Sequence, residues 1–464
     1  ARTGPPFGIF VSFCILCAHL PCRHPHLYMS FSVALLRGAF GLTVFIGIAY
    51  LFSTNRRAID WKLVGSGIAL QLVFALLVLK TGPGEVIFDT LASLFNTVLS
   101  FTYEGSTFIF GDSLGSPAEG PFAFHVLPTI IFFASLMAVL YYLRLVQPVV
   151  RGAGWIMQKT LGISGAESLA TASNVFIGQT EAPLAIKPYV KGMTKSELFV
   201  LMSGGMATIA GGVLAAYIGF LGGDSDAERV LFAKHLLSAS VMSAPAAIVT
   251  AKILIPETET PETAGRGDIT YDQPSDNILD AAADGASEGL KLALNVGAML
   301  LAFIALIGVI NAGLGWLGGP TVGGTQLYDI NSLVAEWSNQ RFDALSLQSV
   351  FGFVFAPLAW AMGVETADIL SFGTLMGEKV AVNEFIAFAS LSELRGVMSE
   401  RSIIIGTYAL CGFANFSSIA IQIGGIGSIA PSRRGEIASL GLRAVLGGAL
   451  ASWMTATIAG VLVA

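Results

Sequence analysis

Polar side chains able to hold a small ligand stand in three places along an otherwise apolar chain. Gln179, Thr180 and Glu181 are consecutive within SNVFIGQTEAPLAIKPYV, Glu384 follows Asn383 inside GEKVAVNEFIAFASL, and Asn415 and Ser418 lie in GFANFSSI. An ionisable side chain at the centre of a bilayer costs about 2.5 to 3.5 kcal/mol on insertion scales, so it is seldom idle. Glu181 and Glu384 are therefore candidates for a binding role; the alternative is that they cap helix ends or pair with a lysine such as Lys379. Asn415 and Ser418, at i and i+3, share one helix face, which suits either a ligand or polar contacts between helices. Successive side chains on a regular helix point about 100° apart, so Gln179, Thr180 and Glu181 can address one ligand only from unwound backbone. Pro183 suits the first turn of a returning half-helix, whose free N–H groups and positive dipole end favour the Glu181 carboxylate.

The elements that must position these residues follow from composition. Of 464 residues, 54% are hydrophobic and 12% charged, with a mean hydropathy of +0.72, whereas soluble domains carry about a quarter charged residues. Apolar runs of bilayer length recur along nearly the whole chain, which indicates a polytopic all-α membrane protein rather than a barrel. Spanning helices are expected at 29–52, 61–80, 123–146, 193–221, 239–255, 289–314, 403–427 and 438–463. Arg56, Arg57 and Lys62 in the first loop, and Arg144, Arg151 and Lys159 after the third span, place those loops in the cytoplasm. Arg433 and Arg434 put the last loop inside and the C-terminus outside. Residues 85–102 repeat apolar side chains at helical spacing and are expected to lie along the interface.

Two segments do not read as ordinary spans. Residues 165–190 and 365–398 are apolar yet interrupted, the first by Asn174, Gln179, Thr180, Glu181 and Pro183, the second by Lys379, Asn383 and Glu384. Both read as re-entrant hairpins, because non-helical backbone is tolerated at membrane depth only when it is enclosed or lines a wet cavity. Each precedes a Gly-rich, polar-interrupted span. The two units enter from opposite sides, as in the inverted repeats of secondary transporters. The resulting division is an N-terminal extension 1–28, disordered or foreign to the fold; scaffold and interfacial helices 29–160; a first hairpin unit 161–255; an acidic cytoplasmic connector 256–288; a scaffold helix and external loop 289–345; and a second hairpin unit 346–464.

Other chemistries find little support. Cys14, Cys17 and Cys22 with His19 form one short cluster in the terminal stretch, weak for zinc, and Cys411 stands alone. A net charge of -6 spread over the chain makes no basic patch for nucleic acid, and no P-loop is present. The GISG pattern around Ser164 would need a histidine to make a membrane protease, but His125 and His235 fall near the opposite face. Ser164 reads instead as a helix N-cap. A passive channel is the milder alternative to a carrier.

With these residues in view the chain resembles the concentrative nucleoside transporters, over roughly residues 29–464. The resemblance rests on GQTEAP, on NEF at 383–385 and on GFANFSSI at 412–419, in this order. It implies a homotrimer of eight-span protomers with two re-entrant hairpins in the bacterial cytoplasmic membrane, importing nucleosides such as uridine with a cation. It further implies that Gln179 and Thr180, with Glu181 behind a water, meet the nucleobase, that Glu384, Asn415 and Ser418 hold the ribose, and that Phe413 packs near the ligand. The sodium site it implies falls on Asn174 and Thr208 with the carbonyls of Ile177 and Ile209, all neutral oxygen donors. Sodium is expected as the coupling ion, with a proton as the alternative, and no organic cofactor is expected.

Overall fold

In the computed structural model, residues 31–115, 122–223, 225–265, 276–322 and 325–463 are described. The N-terminal extension, with its three cysteines and His19, lies outside them. Helices dominate, and among the described residues strand pairing is confined to a two-residue antiparallel ladder, Thr321 with Gln326 and Val322 with Thr325, and an isolated bridge between Arg395 and Met398.

The scaffold begins with α1 (Phe31–Leu51), α2 (Trp61–Lys80) and α3 (Gly82–Phe110). Asp60 caps α2 by accepting from the amides of Lys62 and Leu63, and Thr81 caps α3 by accepting from Gly84. A short turn α4 (Asp112–Gly115) leads to α5 (Phe122–Tyr142) and α6 (Gln147–Leu161), which bend by 80° at their junction. The span expected at 123–146 therefore ends at Tyr142. Next come α7 (Gly165–Asn174), a 3₁₀ turn at Ala182–Ile186, α8 (Lys195–Ala207), α9 (Gly211–Gly222) and α10 (Asp226–Leu254). Helix α11 (Ile278–Gly318) runs 41 residues. It takes in the last turns of the acidic stretch, so the connector is shorter than 256–288; Asn277 starts the helix by accepting from Leu279 and Asp280. The second half holds α12 (Ile330–Trp337), α13 (Leu347–Ala361), α14 (Ile369–Ala381), α15 (Glu384–Glu393), α16 (Glu400–Leu410), α17 (Phe416–Ile429) and α18 (Arg434–Leu462).

Among the described residues, seven helical stretches are long and apolar enough to cross a membrane, or eight if the bent α5–α6 pair is one span. Helix α3 is among the seven, at 29 residues, longer than the interfacial segment expected at 85–102. The span expected at 403–427 is instead two helices, α16 and α17, separated at 411–415.

Burial sorts the helices into two tiers. The apolar windows of α8–α9, α10 and α18 are 83–89% buried, whereas those of α1, α2, α3 and α11 are 17–33% buried. Helices α10 and α18, each 29 residues, form the inner pair. Small residues let the outer helices approach them: a Cβ on Gly38 of α1 would run into Val461 of α18, and one on Gly67 of α2 would run into Val249 of α10. Polar contacts fix the register. Gln71 donates to Thr455 Oγ1 at 2.8 Å, joining α2 to α18. Arg37 donates to the carbonyls of Trp360 and Val364, both at 2.7 Å, closing the C-terminal end of α13 onto α1. Such bonds inside the fold are worth about 0.5–1.5 kcal/mol each, and leaving a buried partner unmet costs more.

Candidate functional site

The two interrupted segments fold back on themselves, and each is closed at its base by a carboxylate meeting a serine. In the first, Ser164 caps α7 in a reciprocal capping box with Glu167, Thr194 caps α8 in the same way with Glu197, and Ser164 Oγ donates to Glu197 Oε1 at 2.6 Å. The chain from 164 to 197 thus returns to where it left. In the second, the Ser399 amide that opens α16 donates to Asp368 Oδ2 at 3.1 Å, beside the start of α14. Ser164 is occupied as a cap, and His235 instead meets the Tyr408 hydroxyl through Nδ1 at 3.1 Å, which leaves no serine–histidine pair there.

The tip of the first segment, 175–181, is unwound. Gly178 holds φ +97, and a Cβ there would stand 2.7 Å from Ala210, so a larger residue would push the tip off the break between α8 and α9. The chain returns through the 3₁₀ turn, not the α-helical half expected after Pro183, and Glu181 at its cap position makes no capping bond through its side chain. Glu181 is exposed while Ala182 and Pro183 beside it are buried. In the second segment the restart is sharper. Asn383 caps α15 by accepting from the Ile386 amide at 3.0 Å, which puts Glu384 at the first helical position, where the positive helix end favours a carboxylate. Asn415 does the same for α17, accepting from the Ser418 amide at 2.8 Å.

These restarts meet in one buried network. Tyr217 from α9 donates to Glu384 Oε1 at 3.0 Å, and Asn415 Nδ2 donates to Glu384 Oε2 at 2.6 Å. From the first segment, Gln179 Nε2 donates to Ser418 Oγ at 3.3 Å, and Gln422 Nε2 donates to Gln179 Oε1 at 3.1 Å. Thr180 packs on Gly425 of the same helix α17, whose missing Cβ would lie 3.4 Å from its methyl. Gln179, Glu384, Asn415 and Ser418 are all buried. A run of hydrogen bonds therefore links the tip of one folded-back segment to the restart of the other. Phe413, buried, stands in the 411–415 break. The pairing of Glu384 with Lys379 does not form: Lys379 donates to the Ala409 carbonyl and to Ser452.

Tyr217 and Gln422 belong to this network and escaped the sequence reading. Gln422 lies four residues after Ser418, hence on the same helix face, a spacing that could have found it. Tyr217 gave a fainter signal, a lone hydroxyl in VLAAYIGFLGG. Its ring stacks on Phe388 at 4.2 Å and meets Phe385 edge-on at 5.0 Å, which aims the hydroxyl at Glu384.

Asn174, Ile177, Thr208 and Ile209 gather where the first tip touches the α8–α9 break. Thr208 Oγ1 approaches the Asn174 carbonyl at 3.1 Å and the Gly204 carbonyl at 3.0 Å, and the Gly211 amide donates to the Phe176 carbonyl at 3.3 Å. Asn174 is fully buried, yet neither its side-chain oxygen nor its nitrogen has a protein partner. A buried amide left unmet is expensive. Neutral oxygens at two unwound stretches suit a hard monovalent cation, so the residues present fit a sodium ion. No group of three or more His, Cys, Asp or Glu suited to a metal occurs among the described residues.

Broken helices and folded-back segments meeting at a buried polar network, within a multi-span apolar bundle, define a helical membrane protein built like a secondary transporter. Three family models match: Na+ dependent nucleoside transporter N-terminus over residues 40–113, Nucleoside recognition over 123–224, and Na+ dependent nucleoside transporter C-terminus over 235–460. The chain belongs to the sodium-dependent nucleoside transporter family. An uncharacterized transporter of Haemophilus influenzae is 42% identical over 93% of this chain and 98% of its own. The rat sodium/nucleoside cotransporter 1 is 40% identical over 91% of this chain and 63% of its own. Among solved structures, CNTnw in an inward-facing substrate-bound state superposes with a TM-score of 0.80 at 38% identity, covering 92% of this chain and 98% of that one. A variant of CNTnw in an outward-facing state gives 0.80 at 37% identity, covering 92% and 97%.

Proposed function

We propose that the chain is a secondary active symporter that imports nucleosides such as uridine across the bacterial cytoplasmic membrane, driven by a sodium gradient. The observation that carries this reading is the hydrogen-bonded run from Gln179 through Ser418 and Asn415 to Glu384. It sets an amide at one end and a carboxylate at the other. The amide of Gln179, with Thr180 and Glu181, offers donor and acceptor to the edge of a nucleobase. Glu384, with Asn415 and Ser418, accepts from and donates to the ribose hydroxyls, and Phe413 packs beside the ligand. Tyr217 holds the carboxylate in place when no sugar is bound. A site built to pair hydroxyls rejects analogues that lack them, because its own buried groups go unmet.

Sodium binds at Asn174 and Thr208 with the carbonyls of Ile177 and Ile209. It orders the unwound tip that carries Gln179, so the nucleoside meets a half-formed site and the second binding step costs less ordering. Nucleoside must then tighten sodium by the same factor. The scaffold, residues 29–160 and 289–345, stays fixed, with α3 along the interface and α11 at the axis of a homotrimer. The units 161–255 and 346–464 move against it, their folded-back segments re-entering from opposite sides and the C-terminus outside. Uptake of labelled uridine into proteoliposomes tests this: accumulation above equilibrium, saturable and dependent on a sodium gradient, is expected. Full uptake from a proton gradient in sodium-free buffer overturns the ion assignment, and non-saturable flux overturns the carrier.

A further inference from the structure

The two halves are alike in construction and unlike in charge at one position. In each, the helix that follows the folded-back segment starts at a hydroxyl cap, Thr194 for α8 and Ser399 for α16, and breaks after about three turns. The carbonyl ten residues past each cap, Gly204 in the first half and Ala409 in the second, belongs to the last turn before the break. Carbonyls there lack helical partners and carry the negative end of the helix dipole, so both places attract a cation. At Gly204 the company is neutral: a Cβ on that glycine would lie 3.5 Å from Asn174 Nδ2, and Thr208 Oγ1 is 3.0 Å from its carbonyl. At Ala409 the company is an ammonium. Lys379, near the end of the arm that corresponds to α7, is fully buried and donates to the Ala409 carbonyl at 2.8 Å and to Ser452 Oγ at 3.2 Å. Ser452 in turn donates to the Cys411 carbonyl at 2.8 Å, inside the break.

No carboxylate pairs with Lys379 among the described residues, whereas buried Lys252 is paired with Glu167. A buried charge with no carboxylate in ion-pair contact is expensive unless it does something that a neutral residue cannot, and Glu384 acts on Lys379 only at longer range. We infer that Lys379 is a tethered cation that occupies, in the second half, the place the first half offers to a diffusible one. It holds the α16–α17 break, and with it Asn415 and Ser418, in the binding arrangement at all times. The first break is ordered only when an ion arrives. One half is thereby locked and the other gated, which makes Lys379 a positioning residue for the ribose end of the site. The comparison rests on the sodium reading of Asn174 and Thr208; the role of Lys379 in ordering its own break does not.

The test uses purified full-length chain, with uridine affinity and thermal midpoint measured for Lys379→Ala, Lys379→Met and Lys379→Arg. Lys379→Met, close in shape but neutral, is expected to lose tenfold or more in uridine affinity while eluting as a monodisperse species, and Lys379→Arg is expected to keep most of it. Propylammonium should raise the thermal midpoint of Lys379→Ala and restore part of its affinity, while propanol at the same concentration should do neither. Native uridine affinity in Lys379→Met, or rescue by propanol equal to that by propylammonium, overturns the inference. If Lys379→Ala does not fold, the Met and Arg pair still decides. If the unaltered chain binds no uridine, the proposed substrate fails, and the thermal shift with propylammonium against propanol still decides Lys379.

Discussion

Glu384 receives two donors, Tyr217 and Asn415, and under the proposed function would exchange one or both for sugar hydroxyls. Replacing it with glutamine removes a charge-assisted acceptor, worth about 1.5–3 kcal/mol, so Glu384→Gln is expected to weaken uridine binding roughly ten- to a hundredfold. Competition assays with 2′- and 3′-deoxyuridine should show that the variant discriminates less between these sugars; unchanged discrimination would remove the ribose assignment. Asn174→Ala deletes a buried amide that has no protein partner, so it is expected to raise the sodium concentration for half-maximal uptake while leaving the order of preferred nucleosides intact. A variant with native sodium dependence and altered nucleoside preference would place Asn174 in the wrong site. Apart from Gln422, the acids and amides of the network were legible in the sequence because polar residues in apolar surroundings are conspicuous. Tyr217 was not, since a tyrosine in an apolar helix reads as packing and its partner Glu384 lies 167 residues away.

Breaks carry the chemistry of the helices, and small residues make them possible. Gly412 holds φ +124 in the α16–α17 break, and a Cβ there would lie 2.8 Å from the carbonyl carbon and oxygen of Ala207, at the end of α8. The two breaks therefore pack backbone to backbone, and Gly412→Ala cannot be accommodated by moving a side chain. Strain of this kind costs about 1–3 kcal/mol, so the variant should unfold at a lower temperature and lose uptake; a native thermal midpoint would mean the breaks are not in contact. Ser164→Ala removes both an N-cap and the donor to Glu197, and should lower stability by about 0.5–2 kcal/mol. Long apolar elements such as α2 and α18 were readable from the sequence, since length and composition suffice. Helix α13 was missed: at 15 residues with Pro357 inside, it falls below the length that marks a span. Nor did the sequence disclose that the return after Pro183 is a 3₁₀ turn, because that depends on how tightly the tip packs against α17.

Across the whole molecule, the two segments interrupted at 179–181 and 383–384 fold back on themselves, which was foreseen from those polar interruptions. Their joint contact at the Gln179–Ser418 bond was not, because no pattern along the chain reports which tip meets which restart. Helix α11 stays largely outside this core. Its apolar window is 17% buried, with Leu301, Ile304 and Val309 exposed. If it forms a trimer axis, native mass spectrometry from mild detergent should give three copies, and Val309→Arg should shift the distribution to monomers; a native monomer would refute the axis. Length gives that helix a second consequence. At about 1.5 Å per residue it measures roughly 60 Å, twice the hydrocarbon depth of a bilayer, so it must lean or overhang. Its polar first turns then set how far it can sink, and turnover should vary with lipid acyl-chain length, slowing in bilayers too thick or too thin for its oily portion.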